Sequence, residues 1–213
     1  MDEEVLGKLL FLVLGWLLGL LGPVIVDAIK RRRENELGRA AIRSELRDVA
    51  HKLALAAHYI HMHNGTVNRQ ELEWLKRHLE LYSGLVSHVS LMDSLRLQLA
   101  FTDDQLVEYV RYTAAKPGKS VVLQKYPVPV LDARVSALWS FDTSLQRRLL
   151  DLRTRLELLN DLVDRSRKYS DMTFTKLEHG NYKLVVENVE QTYVEYAESA
   201  KQIVDLVEQL EVA

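Results

Sequence analysis

The sequence predicts an all-α protein: one N-terminal transmembrane helix in residues 1–29, then a cytoplasmic antiparallel four- to five-helix bundle of long helices in residues 30–213. Three observations predict it. An uncharged run, Leu9–Val26 (LLFLVLGWLLGLLGPVIV), lies near the start. Apolar residues at alternating spacings of three and four recur through the rest, which is the period of a helix with one buried face. The composition of 47% hydrophobic and 27% charged residues averages these two unlike parts.

Extended to Val5–Ile29 the first segment has 25 residues. As a helix it is about 37 Å long against a hydrocarbon core of about 30 Å, so it spans with some tilt. A buried hairpin helix of a soluble protein is the competing reading, and the length of the run speaks against it. A cleaved signal peptide opens on basic residues and ends in a small-residue cleavage site. This segment instead opens on MDEE and ends at Lys30-Arg31-Arg32-Arg33. Basic residues stay in the cytoplasm, which predicts a single pass through the inner membrane with the N-terminus outside.

Inside the span, Gly15, Gly19 and Gly22 fall within about 60° of one another on a helix. The Gly15-x-x-x-Gly19 spacing lets helix backbones approach closely. Pro23 removes a backbone donor and can bend the helix near Gly19–Gly22. Leu14, Leu17 and Leu21 supply an apolar ring able to gate an assembled pore by dewetting.

Ile42, Leu46, Val49, Leu53, Ala56 and Ile60 are spaced 4, 3, 4, 3, 4, and between Pro23 and Asn64 only Gly38 disfavours a helix. The membrane helix is thus free to run on as far as the Asn64-Gly65 turn. Asn68-x-x-Glu71 reads as a capping box for the next helix. That helix carries Leu72, Leu75, Leu79, Tyr82, Val86 and Val89 at spacings of three and four. Thr102-x-x-Gln105 opens a short helix to about Ala115. The stretch Val121–Val130 (VVLQKYPVPV) is extended, because Pro127 and Pro129 forbid a helix interior. One helix is expected from about Leu131 to Ser170, with Leu145, Leu149, Leu152, Leu156, Leu159 and Val163 inward. The last starts near Asn181 and carries Tyr182, Val186, Val189, Tyr193, Tyr196, Ala200, Ile203, Val207 and Leu210. Short connections favour antiparallel packing within one chain.

Little chemistry is visible. With no cysteine there is no thiol nucleophile or thiolate metal site. Residues 30–213 hold 27 basic and 26 acidic residues, a formal charge of +1. That near-balance argues against duplex nucleic-acid binding driven by bulk charge. His58-x-x-His61-x-His63, with His51 upstream, has no acidic residue between Asp48 and Glu71 to complete a metal site. It reads as a polar helix end with solvated imidazoles, and neither a metal nor a cofactor is expected. Gly118-Lys119-Ser120 resembles the end of a phosphate loop, but Thr113 stands where that loop needs glycine. The Arg–His spacing of all-helical defence ribonucleases is not met either: Arg47 precedes His51 by too little and Arg43 by too much. No enzyme is expected.

What remains is a recognition surface. Arg111, Tyr112, Lys116, Lys119, Lys125 and Tyr126 lie in or beside the proline-bearing loop, where lysines can hold an anion and tyrosines can stack a base. The plainer reading is a solvated interhelical loop. Arg147, Arg148, Arg153 and Arg155 alternate with Asp151 and Glu157 as on a solvated helix face.

The arrangement LGWLLGLLGP–KRRR followed by a helical domain resembles two single-span membrane effectors of bacterial anti-phage defence. These are the accessory pore protein of type VI-B RNA-guided systems and the membrane component of Hailong. The resemblance implies a homo-oligomeric channel of four or more chains that depolarises the inner membrane of infected cells. It also implies a regulator such as a short single-stranded nucleic acid or nucleotide, for which Arg111, Lys116, Lys119, Lys125 and Tyr126 are the candidates. The alternative is a membrane-tethered helical module that recruits a cytoplasmic partner and conducts nothing.

Overall fold

The computed structural model describes residues 3–84, 88–115, 119–175 and 179–212. Among these, all regular structure is helical. The chain divides into two compact units, Met1–Ile42 and Arg43–Ala213. Helix α1, Glu3–Asn64, carries Pro23 in its interior without ending there. In the first unit the described residues 10–21 and 23–34 are all exposed. One stretch of α1 is long and apolar enough to cross a membrane, and none of its most apolar window is buried within the chain.

In the second unit, α1 buries Leu46, Val49, Leu53 and Ile60 as the spacing requires, with Ala50, Ala54 and Ala57 widening the face. It stops where the sequence turns. Gly65 adopts φ +66°, and the amides of Gly65 and Thr66 donate back to the carbonyls of Met62 and His61. This is the helix-ending pattern that a left-handed glycine allows. A Cβ on Gly65 would lie 3.1 Å from Ala114 Cβ, so the position is tight as well as left-handed.

Helix α2, Arg69–Leu81, begins with the Asn68 side chain accepting from the Glu71 amide at 3.0 Å. The expected capping box is only half made, because the Glu71 carboxylate pairs with Lys201 instead of turning back to Asn68. Helix α2 is also shorter than the apolar spacing suggested. Its last turn ends at Leu81, Val86 lies outside the described residues, and an exposed Val89 opens a separate helix α3, Val89–Leu99. The Arg69 guanidinium donates to the carbonyls of Leu99 and Phe101 and to Asp103, tying α3 to α4, Asp103–Thr113. The Thr102/Gln105 capping box of α4 is complete.

Residues 119–128 carry no helix, as the prolines demand, and Pro129 takes the first turn of α5, Pro129–Arg134. There its missing N–H costs nothing. The single helix expected from Leu131 to Ser170 is instead α5, a 3-10 turn at Val135–Ser140, and α6, Thr143–Thr173. The break is chemical: Asp142 accepts from the Leu145 amide at 2.8 Å and starts a new helix. An aspartate at that place stabilises an N-terminus better than a helix interior.

Helices α6 and α7, His179–Val212, run antiparallel, with Arg155 meeting Gln202 and Arg165 meeting Glu195. Helix α2 runs parallel to α7: Glu71, Trp74 and His78 meet Lys201, Asp205 and Glu208 in order. It runs antiparallel to α1, since Asp48 meets Tyr82 and His61 meets Glu71. The extended segment 119–128 is strapped on by side chains. The Tyr193 hydroxyl accepts from the Val121 amide and donates to its carbonyl, Tyr196 donates to the Gln124 carbonyl, and the Tyr126 amide donates to Asn160.

Helix α5 has no capping side chain of its own. The Glu45 carboxylate on α1 serves, accepting from the amides of Val130 and Leu131 at 2.8 and 2.9 Å. Arg153 on α6 holds Asp132 of the same short helix at 2.7 Å. Replacing Glu45 with Ala strands two amides and is expected to cost about 1–2 kcal/mol. In urea titration of the detergent-solubilised chain, Glu45→Gln should retain part of that stability.

Candidate functional site

In the first unit the three glycines lie on one open helix face. A Cβ on Gly15, Gly19 or Gly22 would meet nothing within 4 Å. Leu14, Leu17 and Leu21 are 45%, 42% and 48% exposed. At 100° per residue their row is centred about 130° around the helix from the glycine row. The segment thus offers one smooth face for close backbone approach and one face of branched aliphatic side chains.

The loop residues in the second unit are engaged by the fold. Lys125 pairs with Asp164 at 2.5 Å, and Arg111 with Glu108 on its own helix at 2.6 Å. Tyr126 is half-buried, and burial raises its phenol above the ordinary value. Tyr112 and Lys119 are exposed, while Lys116 lies outside the described residues. Arg153 and Arg155 hold Glu157 and Asp151 one turn away, as a solvated face should.

The histidines behave differently from the sequence reading. They are not solvated. His51 is 3% exposed and His78 is 4% exposed, while His58, His61, His63 and His88 are half-buried. Three of them cluster with Tyr82: His51 stacks on Tyr82 and on His78, and His88 lies tilted against His51 and Tyr82. The His51 ring centroid lies 4.1 Å from Tyr82, 4.3 Å from His88 and 5.9 Å from His78. The Nδ1–H of His78 donates to Glu208 at 2.8 Å, and its Nε2 points into the cluster. That nitrogen, both nitrogens of His51 and the Nε2 of His88 are buried without a hydrogen-bond partner. The rings present faces to one another, and among the described residues no group of three His, Asp or Glu is placed to hold a metal ion.

A second layer lies further along α1. Glu71, 13% exposed, pairs with Lys201, whose ammonium also sits 5.2 Å above the Trp74 ring. His61 Nε2 is 3.6 Å from the same carboxylate, and its Nδ1 meets Thr66 at 3.0 Å. Four imidazoles of the two layers, those of His51, His58, His61 and His88, are shifted toward the neutral form. Burial, then the neighbouring imidazoles of His88 and His78, push His51 down to about 4 against the pull of Asp48. Burial and His61 push His58 down to about 4, with Glu71 opposing. His61 and His88 are lowered in the same direction, chiefly by burial.

The linkage has one sign. Between about pH 4 and the unfolded value of 6.5, the unfolded chain binds more protons at His51 and His58 than the folded one. Their contribution to stability is therefore present above 6.5 and lost as pH falls through that window.

Sequence reasoning singled out His51, His58 and His61 but missed His78 and His88, which come from other elements. The available signal was position. His78 lies three residues after Leu75 and beside Leu79, on the apolar face of α2, where a solvated imidazole does not belong. Comparison with protein-family models, with curated proteins and with solved structures finds no match to this chain.

Lys201→Met should leave the Glu71 carboxylate unpaired in a half-buried place and cost roughly 1–3 kcal/mol. The same change removes a cation that repels protonated His61. NMR titration of the His61 ring should then show its midpoint rising toward the ordinary value.

Proposed function

We propose that the chain is a single-pass membrane protein that self-assembles through its spanning helix into a pore, with the helical bundle as a cytoplasmic regulatory head. The observation that carries this reading is that the apolar residues 10–21 and 23–26 are all exposed and that a Cβ on Gly15, Gly19 or Gly22 would meet nothing within 4 Å. A helix apolar on every side and buried by nothing of its own is stable only in lipid or against other copies. One helix cannot enclose a channel, so conduction requires several. The glycine row supplies the helix–helix contact. The leucine row, about 130° away, is then free to line the axis and close it by dewetting. The cluster Lys30–Arg33 favours residues beyond it on the cytoplasmic side.

The resemblance to anti-phage effectors supplies the setting: a channel that depolarises the inner membrane when its head is triggered. A tether that only recruits a partner is the second reading. It is favoured by the engagement of Lys125 and Arg111 with carboxylates of their own chain, which removes two of the cations offered to an anionic regulator.

Light scattering of the full chain in detergent, with detergent mass subtracted, is expected to give a discrete assembly of four or more chains, the proposed minimum. The assembly should show conductance in planar bilayers. Gly19→Leu, which fills the smooth face without shortening the span, should abolish both assembly and conductance. A monomer or dimer across several detergents, with no conductance, removes the pore and leaves the tether, whereas a Gly19→Leu variant that still assembles and conducts removes the glycine row as the helix–helix contact.

A further inference from the structure

Six of the seven histidines in the sequence, at 51, 58, 61, 63, 78 and 88, lie on the second half of α1, on α2, or in the segment that follows α2. Each carries a buried ring nitrogen with no hydrogen-bond partner, and His51 carries two: both of its own nitrogens, Nδ1 of His58, and Nε2 of His61, His63, His78 and His88. An apolar core would fill this seam without that cost, since a buried polar atom left unpaired is destabilising. The arrangement does have a use for a group that gains a proton.

We propose that the seam joining α2 to α1 and α7 is a proton-operated latch: neutral imidazoles hold α2 down, and their protonation releases it while the α6–α7 hairpin stays closed.

The charges facing the seam explain why protonation cannot be absorbed in place. Around His51 stand Asp48 and Lys52 on α1, His78 on α2, and His88 beyond it. Asp48 already accepts from the Tyr82 hydroxyl at 3.1 Å. The Glu208 carboxylate on α7 is taken by His78 and lies 3.8 Å from Arg77, and Asp205 is taken by the Trp74 indole and Arg77. Around His58 and His61 stand Glu71 on α2 with Lys201 and Glu198 on α7, and Glu71 is already paired with Lys201. Around His51 the neighbouring carboxylates are thus already engaged, and a first proton there raises the cost of a second on the adjoining rings; around His61 the carboxylate left over, Glu198, is solvent-exposed on α7. Water is the remaining solvent for a charge on the buried His51, and it reaches that ring when α2 lifts.

The α6–α7 contact holds none of these groups. It is made by Leu149, Leu152, Leu156, Leu159 and Val163 with the apolar face of α7, flanked by Arg155–Gln202 and Arg165–Glu195. Protonation of imidazoles leaves it unchanged. The latch stands whether or not the chain assembles into a pore.

The test is hydrogen exchange, read by mass, on the full-length protein in detergent at about pH 7.5 and about pH 5, corrected for the intrinsic effect of pH. Amides of α2 are expected to lose about tenfold or more in protection at the lower pH, while those of α6 and the facing part of α7 change by less than about twofold. The double variant His51→Leu/His58→Leu should keep α2 protected at about pH 5. If that variant does not fold, His88→Gln, at a half-buried position, should move the release of α2 down by about half a pH unit. Loss of protection in α2 and α6 together would show ordinary acid unfolding and overturn the proposal. So would release in the variants at the wild-type pH, which would assign it to carboxylates. Zinc chloride at about pH 7.5 provides a third arm, since bare imidazole nitrogens also attract this ion. Zinc-dependent protection of α2 with no acid release would overturn the latch in favour of a metal site.

Discussion

The second unit depends on the breadth of one helix face. On α7 the buried residues Val185, Val189, Thr192, Tyr193, Tyr196, Ala197, Ala200, Ile203, Val204, Val207 and Leu210 cover an arc of about 140°. A helix that met a single neighbour would need a narrower stripe. This one is wide enough for α6 on one flank, α2 on the other and the 119–128 strap across the two tyrosines. Each neighbour is then fixed in register by polar groups at the edge of the stripe: Gln202 and Glu195 toward α6, and Lys201, Asp205 and Glu208 toward α2. Alanines at 197 and 200 let partners approach, and tyrosines at 193 and 196 reach outward to hold backbone that has no ladder of its own. A strand-like segment with two prolines cannot join a sheet, and in an all-helical unit there is none to join. Hydroxyls buried with their oxygens in hydrogen bonds answer both needs at once, and burial raises both phenols above their ordinary values, so they stay protonated as donors.

The α2 seam is built on the opposite principle. Leucine against leucine would be cheaper than imidazole against imidazole, because it strands no polar atom. The two histidine layers also solve their electrostatics differently. Around His61 a carboxylate and an ammonium are buried together, so the layer carries charge that is balanced. Around His51 the ring itself is shifted toward the neutral form and relies on contact with Tyr82, with the charges of Asp48 and Glu208 at the edge of the cluster. Both solutions require that no further proton enter, so α2 is held to its neighbours through contacts that are sensitive to protonation.

Helical periodicity made most of this fold legible. The rows on α1, on α6 from Leu149 and on α7 from Val189 point inward where spacing placed them, because a 3.6-residue period is a direct readout of one buried face; at the start of α7 Tyr182 is exposed and Val185 is buried in place of Val186. Spacing failed where a polar side chain had a better use than its local pattern implied. Asp142 divides a helix that leucine spacing alone would join, and Glu71 abandons its own N-terminus for Lys201. Glu45 caps a helix 85 residues later in the chain, which no local pattern encodes. The seam was half legible for the same reason. His51, His58 and His61 stand close in sequence, but their partners His78, His88 and Glu208 arrive through tertiary packing. The glycine row was legible in full, since helix geometry alone puts Gly15, Gly19 and Gly22 on one side.

The two units make opposite demands on their surroundings. Residues 43–213 bury their own apolar rows and pair most of the charges beside them, so their fold is settled within the chain. Residues 10–29 bury nothing, and their stability must come entirely from what surrounds them. Lipid alone satisfies leucine, phenylalanine and tryptophan, which gain nothing further from a protein neighbour in hydrocarbon. Glycine is different: it leaves a groove that acyl chains fill poorly and a second helix fills well. A span selected only for anchoring has no reason to place three glycines within one 60° sector next to a proline. On the proposed reading the spacing answers to helix–helix contact, which would make the part of the chain with no internal partner the part shaped to receive one.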